Sequence, residues 1–144
     1  MWTELARRFQ PEARAAPPAP SAVVEEAEEA LGVQLPAELR ALFEETDGLI
    51  DEYGAGIWSV ARLVENTLRM WEDFSGGDLY MPFGNLLLIG DAGNGDLFAY
   101  PIQGDGAINR ADIFLWDHET DSRQWVAASL RQFVERWFAG ELQR

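Results

Sequence analysis

Two residue types are absent from this sequence, and each absence excludes a class of chemistry. The 144 residues include no cysteine, so disulfides, thiolate zinc sites, iron–sulfur clusters and thiol catalysis are excluded. They include no lysine either, and all 11 basic residues are arginine. Schiff-base chemistry and the lysine of a phosphate-binding loop are therefore excluded. Only one histidine, His118, is present, so any metal site would need oxygen atoms for its other ligands.

Long apolar runs are also missing. No stretch approaches the ~20 apolar residues of a membrane span, and the first residues, MWTELARRFQ, lack the apolar segment of a signal peptide. We therefore expect a cytoplasmic protein without membrane contacts. The content of 47% hydrophobic and 12% aromatic residues provides enough apolar surface to offset the entropy of ordering, which predicts a folded domain.

The charge is strongly negative and unevenly distributed. With 25 acidic residues against 11 basic ones, the formal net charge is −14. Residues 21–53 carry ten carboxylates against one arginine, Arg40, for a net charge of −9. A field of this sign repels nucleic-acid phosphates and anionic lipids, because binding to them depends on neutralisation by basic residues. We expect neither nucleic acid nor membrane as a direct partner.

The order of apolar patterns predicts helices, then strands, then a final helix. Residues 1–20 are expected to form a short amphipathic helix, containing Trp2 and Phe9, followed by a proline- and alanine-rich linker. Residues 21–144 are expected to form a single domain whose four strands lie in LLLIG, DLFAYPI, DIFLWD and RQWVAA. Its first helix should begin with Ser21 as N-cap and stop at Gly32, and Pro36 should be the first residue of the second. Ser59 should cap the third helix, and the glycines of FSGGD should end it. In the last helix, Ser129 and Gln132 have the spacing of a capping box, and the predicted buried face consists of Leu130, Phe133, Val134 and Trp137. The predicted class is α+β, with N-terminal helices, a central antiparallel β-sheet covered on one face by helices, and a C-terminal helix.

The sharpest local motif is IGDAGNGDLF, which places Asn94-Gly95 between two apolar runs. This dipeptide predicts a two-residue hairpin turn, because both residues tolerate positive φ. The alternative of a calcium loop fits poorly. Counted from Asp91, Gly93 and Gly95 occupy the third and fifth positions and Asp96 the sixth, where a calcium loop requires glycine. A nucleotide-binding loop would need a helix to follow, and the following residues are strand-like.

His118 lies in the sequence Asp117-His118-Glu119, between two predicted strands. A general base flanked by carboxylates would have a raised pKa. However, no serine in the sequence has the context of an activated nucleophile, so no catalytic set accompanies the imidazole. We interpret His118 as a polar loop residue and predict that His118→Ala leaves any activity intact.

Two acidic clusters stand out on the predicted helices. The run Glu25, Glu26, Glu28 and Glu29 is typical of a solvated helix face. A second cluster follows the next helix, where the helix dipole disfavours negative charge. Solvation and recognition of a partner remain alternative explanations for it. Its members are Glu44, Glu45, Asp47, Asp51 and Glu52.

Three motifs in series resemble the SUKH superfamily, in the branch related to the fungal cell-wall synthesis regulators of the Smi/Knr type. EEAEEALGVQLPAELRALFEETDGL resembles the opening pattern of the family, IGDAGNGDLFAY its central hairpin, and WDHETDSRQWVAASLRQFVERW its terminal strand and helix. The resemblance covers about residues 21–138. The motif positions are Gly32, Leu35, Pro36, Gly48, Gly93, Asn94, Gly95 and Ser129.

The resemblance implies a non-enzymatic domain that binds another protein, with no catalytic residues, no metal and no cofactor. Bacterial members are commonly immunity proteins that neutralise a toxin domain, often a nuclease. Our first hypothesis is an immunity protein whose carboxylates contact a basic toxin domain. Its candidate contacts are Glu44, Glu45, Asp47, Asp51, Glu52, Asp91 and Asp96. A regulatory interaction module without a toxin is the second hypothesis, and a metal enzyme using Asp91, Asp96 and Asp117 is the third.

Overall fold

A computed structural model describes residues 1–76 and 79–142 of the chain. The helices are α1 (Trp2–Phe9), α2 (Ser21–Leu31), α3 (Ala37–Glu45), α4 (Val60–Asp73) and α5 (Leu130–Phe138). The strands are β1 (Arg14–Ala15), β2 (Leu49–Ile50), β3 (Gly56–Ile57), β4 (Leu86–Asp91), β5 (Leu97–Pro101), β6 (Ile113–Trp116) and β7 (Arg123–Ala127). The predicted α+β class, with N-terminal helices and a C-terminal helix, is confirmed. None of the described helices has both the length and the apolar character needed to span a membrane.

The seven strands form one antiparallel sheet in the order of the sequence. Strands β4 to β7 correspond to the four predicted apolar runs. The two-residue strands β1 to β3 were not predicted, because a strand this short has no alternating pattern. In β1, Arg14 pairs with Ile50 and Ala15 with Leu49. The stretch predicted as a linker therefore contributes the first edge strand of the sheet.

One face of the sheet is covered by helices and carries the main core. Helix α5 buries Leu130, Phe133, Val134 and Trp137, as its spacing predicts. Helix α1 packs against α5 and α3 and buries Trp2, Leu5 and Ala6. Phe9, which was expected on the buried face of α1, is 43% exposed. The N-terminal helix is thus part of the same core as the C-terminal one.

The opposite face of the sheet carries a smaller aromatic cluster. Its buried members are Trp58, Phe83, Leu86, Leu88, Ala99 and Trp116. Phe74 and Tyr80 pack onto it, and the ring centroids of Tyr80 and Trp116 are 5.0 Å apart in an edge-to-face arrangement. This second face of the sheet is therefore also partly covered.

Strand β3 pairs only with the end of β4, and side chains of α4 form hydrogen bonds with the backbone of the rest of that edge. Thr67 Oγ1 donates to the carbonyl of Leu88 and accepts from its N–H, both at 3.2 Å. Trp71 Nε1 donates to the carbonyl of Leu86 at 2.8 Å. Four residues along a helix rise about 6 Å and two residues along a strand about 6.7 Å, so the two side chains match the spacing of the strand. Thr67 and Trp71 thus protect an edge that would otherwise be open to pairing.

Two glycines allow β3 to approach β4. The register shifts between Leu88 and Gly90, which leaves one extra residue in β4 as a bulge. A Cβ on Gly90 would lie 2.0 Å from the carbonyl oxygen of Gly56, and Gly56 itself has φ 136°. Neither position can hold a larger residue without displacing backbone.

Several predicted helix boundaries need correction. Ser21 is the first helical residue and not the N-cap, because Pro20 precedes the helix. Pro36 precedes α3, which begins at Ala37. Gly32 has φ 70° and ends α2 as predicted. Ser59 Oγ accepts from the Arg62 N–H and caps α4 as predicted, whereas the glycine stop expected after α4 includes Gly77, outside the described residues.

Ser129 caps α5 by accepting from the Gln132 N–H at 3.1 Å. The reciprocal bond of a capping box would join the Gln132 side chain to the Ser129 N–H. Instead, Gln132 Oε1 accepts from the N–H of Ala128 at 2.6 Å. One bond of the predicted capping box is therefore present, and the other is made to the N–H of the preceding residue, Ala128.

Gly90→Ala should destabilise the fold severely, because the added methyl group would collide with the Gly56 carbonyl. We expect a loss of about 3 kcal/mol or more in the free energy of unfolding, measured by urea denaturation. Gly84→Ala is the matched control, since nothing lies within 4 Å of a Cβ at that position. Equal stability of the two variants would contradict the close approach.

Candidate functional site

The acidic residue that ends α3 binds the beginning of α1. Glu45 Oε1 accepts from the Met1 ammonium group at 2.7 Å and from the Trp2 N–H at 3.1 Å. Glu45 Oε2 accepts from the Thr3 N–H at 2.8 Å. A carboxylate at the N-terminus of a helix interacts favourably with the helix dipole. The unfavourable position of Glu45 at the end of α3 is thus offset at the start of α1.

These bonds determine the ionisation of Glu45. Partial burial raises its pKa, but the bonds from the Met1 ammonium and from the Thr3 and Trp2 N–H groups outweigh burial and lower the pKa from 4.5 to about 2. The side chain is therefore a charged structural acceptor at neutral pH.

Two further members of this acidic cluster serve the backbone that follows it. Asp47 Oδ1 accepts from the Val60 N–H at 2.8 Å, at the start of α4. Asp51 is 4% exposed, and its Oδ1 accepts from the N–H groups of Tyr53 and Ala55. The remaining two, Glu44 and Glu52, are exposed. Three members of the cluster therefore accept hydrogen bonds from the chain itself, and the other two, Glu44 and Glu52, are charges exposed at the surface.

The hairpin between β4 and β5 is wider than predicted. The Ala92 N–H donates to the Asp96 carbonyl at 3.0 Å, so the loop contains three residues between these two. Gly93 and Gly95 have positive φ, whereas Asn94 does not. Asn94 acts through its side chain instead, and its Oδ1 accepts from the Asp96 N–H at 3.0 Å. The prediction of a two-residue Asn94-Gly95 turn is therefore wrong, although the hairpin itself is present.

The two carboxylates of this hairpin face different neighbours. Asp91 Oδ2 accepts from Trp58 Nε1 at 2.6 Å, and Asp91 Oδ1 accepts from the Gly93 N–H at 2.8 Å. Asp96 is 2% exposed, and its Oδ1 accepts from the His118 N–H at 3.1 Å and lies 2.7 Å from His118 Nδ1. The Asp96 carboxylate thus fastens the β6–β7 loop to the hairpin.

His118 contacts two residues of the hairpin, Asp96 and Gly95. Hydrogen bonding to Asp96 raises the pKa of His118 above its ordinary value, against the opposing effect of burial, and the charges of Asp96, Glu119 and Asp117 add to the increase. A Cβ on Gly95 would lie 3.0 Å from the imidazole ring, so this glycine is needed where the ring packs. The structure therefore places His118 in a defined contact with the hairpin.

Three residues here could offer ligand atoms to a metal ion. Atoms of Asp96, Asp117 and His118 lie within 4.8 Å of one another. Of the carboxylates that the metal-enzyme hypothesis names, Asp96 and Asp117 are therefore close together. Asp91 instead bonds Trp58 and Gly93. Asp96 Oδ1 already accepts from the backbone N–H of His118 and lies 2.7 Å from its Nδ1, so this carboxylate connects the two loops.

An acidic groove lies between α2 and α3. It encloses about 210 Å³. Glu25 and Glu44 are exposed at its sides, and Glu28 Oε2 accepts from the Leu35 N–H at 2.8 Å. Sequence reasoning assigned the α2 glutamates to solvation alone, and their separation from Glu44 along the chain concealed the shared surface. The residues lining the groove are Ala19, Ser21, Val24, Glu25, Glu28, Arg40 and Glu44.

The motif positions have structural roles around these surfaces. Leu35 is 2% exposed in the main core, next to Pro36 at the start of α3. Gly48 has φ 101°, and a Cβ there would lie 3.0 Å from the Ser59 nitrogen. These residues therefore determine how the chain passes between α2, α3 and α4.

Comparison with known proteins gives one family. The family model described as SMI1-KNR4 cell-wall matches residues 22–134, more than three quarters of the chain. No curated protein shows significant similarity to the sequence.

Glu45→Gln should destabilise the protein at neutral pH, by about 1 kcal/mol after allowance for solvent screening of this partly exposed group. The lowered pKa means that the stabilisation is complete above about pH 4.5 and is lost as the pH falls towards about 2. Urea unfolding as a function of pH measures it. Glu44→Gln removes the same charge from the neighbouring exposed position and should have little effect. A stability difference that persists at the lowest pH would contradict the assignment.

His118 should titrate above its ordinary value of 6.5 in an NMR pH titration of the imidazole protons. Because folding raises the pKa of His118, the protonated imidazole stabilises the folded state. This stabilisation is complete below about pH 6.5 and is lost as the pH rises through the pKa of His118 in the folded protein. Asp96→Asn should move the pKa back towards 6.5, whereas Glu119→Gln should move it less. An unshifted His118 in the unaltered chain would contradict the Asp96 contact.

Proposed function

The chain belongs to the SMI1-KNR4 cell-wall family, and from this premise we propose that it is an immunity protein. In this proposal it is non-enzymatic, and it neutralises a basic toxin domain of the nuclease type by binding it through the acidic surface of α2 and α3. The observation that carries the proposal is the groove that brings Glu25, Glu28 and Glu44 together.

Charge and exposure support this surface. Residues 21–53 hold ten carboxylates and one arginine, and α2 exposes Glu25, Glu26 and Glu29 to solvent. Asp51 and Asp96 are buried, whereas Glu44 and Glu52 are exposed. The proposed contacts are therefore centred on Glu44 and the α2 glutamates, with Glu52 at the neighbouring loop.

The mechanism would be competition for the basic substrate site of the toxin. A nuclease binds phosphates with arginine and lysine, and carboxylates arranged on a folded surface can occupy the same donors. Opposite charge accelerates association and disfavours other partners more than it increases intrinsic affinity. The proposal requires no chemistry by the immunity protein itself, in keeping with a histidine that is bonded to the hairpin through Asp96.

The second candidate is a regulatory interaction module with no toxin partner. It is favoured by the description of the matching family, which names the cell wall. The two functions differ in phenotype. Loss of an immunity gene matters only when the toxin is present, whereas loss of a regulator should change the response to cell-wall-directed agents without any toxin.

The test is co-expression of the chain with the toxin encoded by a neighbouring gene. The unaltered chain should protect cells, and the triple variant Glu25→Gln, Glu29→Gln, Glu44→Gln should protect them poorly. With purified proteins, we expect its association rate constant to fall about tenfold or more at low salt, because the attraction between opposite charges is weakened.

The matched control removes the same charge from exposed positions elsewhere, as Glu12→Gln, Glu119→Gln, Glu141→Gln. This control should protect cells as well as the unaltered chain. Cells that die equally fast with and without the unaltered chain would contradict the immunity function. Equal loss of protection in both triple variants would instead contradict the assignment of the surface.

A further inference from the structure

Two adjoining cavities run along α4, on a different part of the surface from the acidic groove. One encloses about 300 Å³ between β1, the β2–β3 region and the start of α4, and the other about 350 Å³ between α4 and the β4–β5 hairpin. Trp58 and Arg62 line both of them. Together they form one cleft, bordered by Arg14 at one end, Arg62 in the middle and Arg69 at the other. We call it the arginine cleft.

The middle arginine is held in place while its donors stay available. The Arg62 guanidinium lies 5.5 Å from the centroid of the Trp58 ring, in a cation–π contact. Arg62 Nη2 also forms an ion pair with Asp91 Oδ2 at 3.9 Å, beyond hydrogen-bond distance. That oxygen already accepts from Trp58 Nε1 at 2.6 Å. Arg62 is therefore positioned by the Trp58 ring and by the Asp91 ion pair, and its side chain is 54% exposed.

The two outer arginines bond to neutral oxygens. Arg69 Nη2 donates to Asn66 Oδ1 at 3.0 Å, and Arg14 Nη2 donates to the carbonyl of Glu52. Arg110, by contrast, has its carboxylate partner Asp112 at 3.0 Å, within hydrogen-bond distance. Two carboxylates, Asp47 and Asp91, also line the cleft, so its three arginines are in excess by one. Asp47 Oδ1 and Asp91 Oδ2 accept from the Val60 N–H and Trp58 Nε1, which leaves the guanidinium donors of Arg62 without a carboxylate at hydrogen-bond distance.

The floor of the cleft is apolar at one end. Ala15, Ala16, Ile50 and Ile57 line the cavity next to β1 together with the Trp58 ring. A planar guanidinium binds a carboxylate through two parallel hydrogen bonds, and an apolar floor accommodates aliphatic side chains. The arrangement combines both kinds of contact along one extended path.

From this geometry we infer that the arginine cleft binds an extended acidic segment of a partner protein, with carboxylates on Arg62 and Arg69 and aliphatic side chains on the floor. A nucleic acid fits less well, because its continuous phosphate charge would be repelled by a chain of net charge −14. A short peptide carries only the few carboxylates that the arginines can neutralise.

The experiment is selection of a random peptide library, displayed on phage, against the immobilised full chain. The selected peptides should be enriched in aspartate and glutamate. The double variant Arg62→Gln, Arg69→Gln should bind a selected, fluorescently labelled peptide at least about tenfold more weakly in fluorescence polarisation, equivalent to about 1.4 kcal/mol. Both substitutions lie at exposed positions, and an unchanged unfolding temperature will verify that the variant folds.

The matched control is Arg110→Gln, Arg131→Gln, which changes the net charge equally at exposed positions elsewhere and should retain binding. Selected peptides without acidic enrichment, or equal weakening in both variants, would overturn the inference. So would tighter binding of an oligothymidine probe than of the peptide. Self-association that is abolished by Arg62→Gln, Arg69→Gln would also overturn it, since a second copy would then be the occupant.

This inference goes beyond the proposed function and is independent of it. The proposed toxin contacts are centred on α2 and α3, whereas peptide binding is assigned to Arg62 and Arg69 on α4. The two surfaces approach each other where Arg14 donates to the Glu52 carbonyl, and neither of these residues is changed in the test variant. The Arg62→Gln, Arg69→Gln chain should therefore still protect cells from the toxin, so failure of one proposal can be distinguished from failure of the other.

Discussion

The contact between Gly56 and Gly90 is the constraint on which the functional surfaces depend. Strand β3 can lie against the bulged strand β4 only because both positions lack a side chain. This contact places Trp58, which follows β3, next to Asp91 at the end of β4, and their 2.6 Å hydrogen bond fixes both. Helix α4 begins immediately afterwards, so the position of Arg62 against Trp58 follows from the same contact. The hairpin, the helix and the cleft between them are thus connected through two glycines.

Many of the acidic residues contribute to the fold before they contribute to a surface. Glu45 binds the start of α1, Asp47 the start of α4, Asp51 its own loop, and Asp96 the β6–β7 loop. Each carboxylate satisfies N–H groups that would otherwise lack a partner, which is worth about 1 kcal/mol or more per site. The formal charge of −14 therefore overstates the charge that a partner would meet directly. What remains at the surface is concentrated on α2 and at the end of α3.

The sequence predicts the parts of this structure that repeat over enough residues to form a pattern. All five helices, the four long strands and the buried face of α5 follow from apolar spacing, and the SUKH resemblance follows from three motifs in order. The short strands do not, because two residues show no alternation. The Glu45 contact joins residues more than 40 positions apart and leaves no local signal. Asn94 was misjudged because its side chain, rather than its backbone angles, shapes the turn. The arginine cleft was missed because Arg14 and Arg62 meet only after β1 joins the sheet.

The two proposed surfaces would respond to salt in opposite ways during association. A basic partner is attracted by the negative charge of the whole chain. This attraction extends over about one Debye length, ~8 Å at physiological ionic strength. Added salt screens that attraction and slows the encounter. An acidic segment approaches against the same field and is attracted by Arg62 and Arg69 only at short range. Moderate salt screens the repulsion first, because the repelling charges are spread over the whole surface while the attracting arginines are in contact with the ligand. One chain can therefore favour a basic partner in dilute salt and admit an acidic one as the ionic strength rises, without any change in its structure.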